Sequence, residues 1–147
     1  MSGPSIHSAE RRIARARANL GTDNDRVAIS SGHHDRIADE PAALGGRDAG
    51  PAPSQYLLSG LGACTAMTSR IYAERKRWDL REMEVSMCLV EEGKSQQIDR
   101  VIALEGEVSD EQRIRLAHSA ERTPVTLMLK PGVAIATTLR PADCARW

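Results

Sequence analysis

Cys64 is the residue with the most chemistry to offer, a thiol in the middle of Ala49–Ser69, a stretch of 21 residues without a charged side chain. Gly60, Gly62, Ala63 and Ala66 surround it and are small enough to open a pocket or let another backbone approach. A thiol attacks as its thiolate, and burial alone suppresses that ion, so a nucleophilic Cys64 needs a cation beside it. The preceding loop offers one in Arg47, within Gly45-Gly-Arg-Asp-Ala-Gly50, whose glycines let the backbone turn and aim the guanidinium. At 4 to 6 Å such a cation favours the thiolate by about one to three pKa units. The competing readings are an inert packing thiol and a solvated loop charge, both common fates of these residue types.

Other constellations carry less. Cys88 and Cys144 complete the thiol inventory, Cys88 reading as structural on a strand and Cys144 as an incidental tail thiol. His33, His34 and His118 with the cysteines show no C-x-x-C or H-x-x-x-H spacing, so no metal site is expected. The glycine-rich loop lacks the G-K-[ST] of a phosphate loop, and no nucleotide or other cofactor is expected.

Composition narrows the class. Lys+Arg and Asp+Glu are 20 each among 147 residues, so no basic excess exists to neutralise phosphates and nucleic acid is disfavoured as a partner. Three cysteines and no apolar leader argue for reduced thiols in the cytoplasm. Ala49–Ser69 holds Pro51, Pro53 and Gln55 and reads as no membrane span. With no Phe and only Tyr56, Tyr72, Trp78 and Trp147 as aromatics, the core must use small aliphatic residues. Such a chain gains from burying further surface in a homodimer.

The elements that must position Cys64 follow from periodicity. Alternation and turn chemistry predict a hairpin over residues 12–31, with the turn at Gly21–Asp25, and a third strand near Arg36–Asp39. Pro41–Pro53 reads as a loop. Leu57, Leu61, Cys64, Thr68 and Ile71 step by four and three, predicting a helix of about six turns over Gln55–Lys76, its first half buried on every side. Met83–Leu89 and Ile98–Glu105 alternate as two antiparallel strands joined by Glu92–Gln97. Ser109 and Gln112 form a capping box opening a helix with Ile114, Leu116, Ala117 and Ala120 inward, ending at Thr123-Pro124. An apolar turn over Val125–Leu129 and a last strand, Val133–Leu139, complete an α+β domain.

Leu44 to Thr68, with Gly-Ala-Cys-Thr at 62–65, resembles the OsmC/Ohr family of osmotically inducible and organic hydroperoxide resistance proteins, in particular its OsmC-like branch. The resemblance continues through Arg70–Trp78, Ile98–Val108 and Asp110–Leu139. It covers most of 27–139, leaving 1–25 loosely matched and 140–147 as a tail of a single domain. It implies an intertwined homodimer with an N-terminal antiparallel sheet, a long central helix, a second sheet and thiol sites at the subunit interface. It also implies that Cys64 attacks the peroxide O–O bond, held as thiolate by an Arg and a Glu, while a second cysteine in Cys-Pro-Val closes a disulfide.

Two departures bear on that chemistry: Thr123-Pro124-Val125 stands where Cys-Pro-Val is expected, and Gln55 where the helix usually starts with Glu. Gln55 is neutral and lies about 13 Å along the helix from Cys64, so it acts there only if the chain bends or a second subunit supplies it. Arg47 is similar in place to the Arg of some members, with Arg15 or Arg17 on the first strand as fallback. The resemblance thus implies turnover of an organic hydroperoxide with an external thiol as reductant. The alternative is a non-catalytic dimer binding a hydrophobic small molecule.

Overall fold

A computed structural model describes residues 11–22 and 26–141, which divide into two compact units separated in sequence between Tyr56 and Leu57.

The first unit is a three-stranded antiparallel sheet in the order β1 (Arg17–Leu20), β2 (Val27–Ser31) and β3 (His34–Ala38). Leu20 faces Val27 across the first pair, and Ser31 faces His34 across a tight turn in which Gly32 takes φ 64°, a left-handed value that glycine adopts at little cost. The expected hairpin and third strand are present, although β1 begins only at Arg17, so Arg15 precedes it. Part of the expected turn, residues 23–25, lies outside the described residues.

Asp39 organises the loop after β3. It is buried, its Oδ1 accepting the Glu40 N–H at 2.9 Å and its Oδ2 the N–H groups of Arg47 at 3.1 Å and Ala49 at 2.9 Å. A β-carbon on Gly46 would sit 1.8 Å from the Glu40 carbonyl oxygen, and one on Gly50 2.3 Å from that of Ile37. Those glycines are therefore required by close backbone approach.

α1 runs from Pro53 to Lys76. At its start the Gln55 side-chain carbonyl accepts the Ala52 N–H at 2.8 Å, satisfying a donor that the first turn leaves unpaired. At its end the Arg77 and Trp78 N–H groups return to the Glu74 and Ala73 carbonyls at 3.0 and 2.9 Å, with Arg77 at φ 57°. This is a Schellman closure with arginine where glycine is usual.

In the second unit β4 (Asp79–Glu92) and β5 (Ser95–Glu107) form one long antiparallel hairpin. The strands run further than their alternation suggested, because Glu92 already pairs with Ser95 and the turn needs only Gly93 and Lys94. Met83, Val85 and Met87 on β4 and Ile98, Arg100, Ile102 and Leu104 on β5 share the half-buried face, as the period of two requires.

α2 (Asp110–Ala120) opens with the expected capping box: Ser109 Oγ accepts the Gln112 N–H at 3.2 Å and Gln112 Oε1 accepts the Ser109 N–H at 3.0 Å. Leu116 is buried with Ala73, Leu80 and Val108, and Ala120 is buried as well. The expectation for Ile114 and Ala117 is corrected, since both point outward, Ile114 at 70% exposure. Arg113 takes the inward row instead, its guanidinium donating to the carbonyls of Val108 and Leu104 at 3.2 and 3.3 Å. α3 (Pro124–Leu129) follows, with Thr123 as its N-cap and Pro124 at its first position.

The last strand is also corrected. Residues 131–139 form no strand among the described residues, and Val133, Ile135 and Leu139 are 58, 91 and 98% exposed. Alternation makes a strand only where a neighbouring strand accepts its hydrogen bonds, and here none does.

Candidate functional site

α1 presents two unlike faces. Leu61, Thr65, Ser69 and Ala73 recur every four residues and are buried. Leu57, Gly60, Cys64, Met67 and Ile71 recur at three and four and form an open seam, with Leu57, Met67 and Ile71 46, 65 and 49% exposed. Burial of the helix's first half on every side is thus corrected, because one face has no cover within the described chain. Cys64 sits in the middle of that open seam, half-buried, with small or flexible neighbours one turn to either side.

Behind the thiol the closed face carries a polar lock that sequence reading missed. Arg100, its side chain only 12% exposed, spreads one terminal nitrogen over Thr65 Oγ1 and Thr126 Oγ1, each at 3.1 Å, and donates with the other to Glu121 Oε1 at 2.8 Å. Thr65 passes its own proton to the Leu61 carbonyl at 2.8 Å. The Thr126 hydroxyl donates to the Ala120 carbonyl at 3.1 Å, so the 2.7 Å contact between Thr123 and Thr126 must have Thr123 as donor. Thr123 Oγ1 in turn receives the Thr126 N–H at 3.4 Å. Lys130 closes the chain on the other oxygen of Glu121. The Lys130 ammonium and then the Arg100 guanidinium hold the Glu121 carboxyl below its ordinary value. The signal was in the sequence, since Arg100 stands among Ile98, Ile102 and Leu104 on an inward row where an unpaired charge would be costly.

The sequence-predicted residues are thus distributed. Thr123 is fully buried, at the start of α3 and inside the hydroxyl network. Cys64 is one residue before Thr65, the α1 member of that network. Gln55 caps the start of α1. Arg47, in the first unit, has an exposed side chain and a backbone pinned to Asp39. The N–H groups of Ala49, Arg47 and Glu40, with a smaller share from the Arg47 charge, hold the Asp39 carboxyl below its usual value against the opposing effect of burial. Arg15 and Arg17 are exposed. Cys88 lies on the exposed face of β4, its thiol 3.8 Å from the Leu89 carbonyl. Cys144 falls outside the described residues.

Two grooves flank this framework. One, of about 640 Å³, is lined by Leu61, Leu89, Ile98, Leu129 and the Arg100, Glu121 and Lys130 end of the lock. The other, of about 540 Å³, lies between the C-terminal half of α1 and α2. Among the described residues no three His, Cys, Asp or Glu side chains gather as a metal site would require, and no helix is long and apolar enough to cross a membrane.

Comparison with known proteins is consistent with this architecture. The family model described as OsmC-like protein matches residues 45–138. An OsmC-like protein from Mycoplasma pneumoniae shares 17% identity, with 80% of this chain and 87% of that chain covered, at a TM-score of 0.69. An organic hydroperoxide resistance protein OsmC from Legionella pneumophila shares 18% over 81% of this chain and 90% of its own, at 0.59. The organic hydroperoxide resistance protein OhrB of Bacillus subtilis shares 22% over 78% and 87%, at 0.55. At such identities these structures establish the α+β fold alone. No curated protein matches this chain.

Proposed function

Because the chain belongs to the OsmC-like protein family, we propose that it is a thiol-dependent peroxidase of organic hydroperoxides. In this reading Cys64 is its single attacking cysteine and Arg47 the cation that favours the thiolate. The observation that carries the reading is the position of Cys64, half-buried at the centre of an open apolar seam. A thiol placed there reacts in an apolar environment once the seam is covered, and the cover is a second copy of the chain. The exposed apolar side chains of α1 and of residues 133–139 support that homodimer, since surface of this kind marks an interface. The whole chain then forms one domain of the dimer, in a cytoplasm that keeps its thiols reduced.

The Cys64 thiolate attacks the terminal peroxide oxygen, the O–O bond breaks, and the alkoxide takes a proton to leave as an alcohol, giving Cys64 sulfenic acid. Thr123 has no thiol to offer, so an external thiol condenses with the sulfenic acid, releasing water. A second external thiol frees Cys64 and leaves as the disulfide. Gln55 stays at its capping position, outside the charge chemistry.

A second reading, a non-catalytic dimer binding a hydrophobic small molecule, draws support from Thr123 being committed to a closed hydroxyl network.

Alkylation of Cys64 as a function of pH, with Cys88 and Cys144 replaced, separates the two. Rapid alkylation persisting well below about pH 8, slowed several-fold by Arg47→Ala and little by Gln55→Ala, is expected for the peroxidase. Peroxide should then yield sulfenic or sulfinic acid at Cys64. An unreactive thiol supports the binder. Equal rates for wild type and Arg47→Ala remove Arg47 from the site.

A further inference from the structure

Asp39 and Arg47 carry opposite charges in one loop, yet among the described residues their side chains make no ion pair. The Asp39 carboxylate binds main-chain groups instead. Its Oδ2 accepts the N–H groups of both Arg47 and Ala49, and Asp48 between them takes φ 55°, a left-handed turn that brings alternate amides round to one oxygen. The Gly46 N–H reaches the Pro41 carbonyl at 3.2 Å and the Asp48 N–H the Glu40 carbonyl at 3.1 Å. Every amide from Gly46 to Ala49 is therefore tied.

The guanidinium stands apart from this arrangement. The Arg47 side chain is exposed and makes no ion pair among the described residues, so its charge is uncommitted while its backbone is held. A cation on a loose loop has to be ordered each time it engages an anion. Here the backbone is ordered on folding, and only the side-chain rotamers remain to be set.

We propose that Asp39 is a positioning residue for Arg47: by holding its amide, Asp39 fixes the base from which the guanidinium serves the Cys64 thiolate. The claim rests on the peroxidase reading for the anion that Arg47 meets, and on the Asp39 hydrogen bonds for how Arg47 is held. Its sign separates it from a simple charge effect. The amides of Ala49, Arg47 and Glu40 do most to keep Asp39 ionised and the Arg47 charge adds a smaller share, so the two charges sense each other. Acting only as a neighbouring negative charge, Asp39 would offset Arg47, and its removal would favour the thiolate. As a positioning residue it does the reverse.

The test is the pH profile of Cys64 alkylation in the whole protein, with Cys88 and Cys144 replaced, for wild type, Asp39→Asn, Arg47→Ala and the double variant. Asp39→Asn should move the midpoint upward and slow alkylation near neutral pH about three-fold or more, while the plateau at high pH, where the thiol ionises in any case, keeps the wild-type rate. Damage to the surroundings of the thiol would lower that plateau instead. The double variant should be no slower than Arg47→Ala, because Asp39 acts only through Arg47. Amide hydrogen exchange at Arg47 and Ala49 should quicken about ten-fold or more in Asp39→Asn. Gly46→Ala drives a β-carbon against the Glu40 carbonyl and displaces the same backbone with no change of charge. It should move the midpoint in the same direction, and it carries the test if Asp39→Asn does not fold.

An unchanged profile in Asp39→Asn, or a midpoint moved downward, overturns the positioning role and leaves Arg47 in place so long as Arg47→Ala still shifts the profile. A shifted profile with both amides still protected overturns it as well, since the effect then bypasses the Arg47 backbone. An unchanged profile in Arg47→Ala removes Arg47 from the site, and the positioning role falls with that assignment.

Discussion

The buried and open faces of α1 are made from similar small and aliphatic residues, yet they do opposite work. Leu61, Thr65, Ser69 and Ala73 are buried within one chain, Thr65 held by the Arg100 network and Ala73 packed with Leu80 and Leu116, although the Ser69 hydroxyl is buried without a hydrogen-bond partner. Leu57, Gly60, Cys64, Met67 and Ile71 have no such cover, and the proposed nucleophile, the Cys64 thiol, is on that side. A thiol on the closed face would be inert packing. One on the open seam takes its environment from whatever covers it, which lets assembly control chemistry.

The largest expected effect comes from placing a charge on the open face. If the proposed homodimer is obligate, Met67→Asp should abolish it, and the fold with it, because obligate dimers rarely leave a stable monomer. Light scattering and circular dichroism at micromolar concentration check this, and a folded 16.0 kDa wild-type monomer breaks the comparison at its premise.

Next is the closed face. Arg100→Met leaves Glu121 without its partially buried partner and withdraws the donor shared by Thr65 and Thr126, so it should cost about 2–4 kcal/mol in denaturant unfolding. Unchanged stability would show that the face is held by apolar packing alone.

The third prediction concerns acid. The Glu121 carboxyl is held below its ordinary value, so the native protein binds fewer protons there than the unfolded chain as pH falls toward the carboxylate range. Its contribution is fully present at neutral pH and disappears as pH drops through the lowered folded value. Glu121→Gln should therefore lose about 0.5–1.5 kcal/mol at pH 7, a modest figure because Glu121 is half exposed, and the gap to wild type should close in acid. A gap independent of pH would mean that the ion pairs contribute nothing.

The smallest effect is at the end of α1. Arg77→Gly removes a β-carbon from a left-handed position and should raise stability by up to about 1 kcal/mol, measured as a small increase in Tm.

Much of this was legible because the relevant signals are local. The period of two in Met83–Leu89 and Ile98–Glu105, and the Ser109 and Gln112 box, depend on neighbours within a few residues, and the structure has them. The period across α1 also gave the helix. It could not divide the apolar residues between two faces, because Leu57 and Leu61 are alike in hydropathy and differ only in what packs against them. Val133–Leu139 failed for the same reason, since a strand needs a partner. Ile114 was displaced by Arg113, whose stem and guanidinium outcompeted it for the inward row through bonds to Val108 and Leu104. Asp39 gave no signal at all, because its partners are main-chain groups up to ten residues away.

The Asp39 knot has a consequence for proteolysis. Arg47 presents an exposed side chain that trypsin recognises, but cleavage needs several residues on either side in extended form. Here the amides of Arg47 and Ala49 are tied to one carboxylate, and Gly46 and Gly50 lie pressed against the backbone of Glu40 and Ile37. The peptide bond after Arg47 becomes a substrate only when the knot opens. Its cutting rate under limiting trypsin therefore reports the opening equilibrium of that loop, and Asp39→Asn should turn a resistant site into a sensitive one.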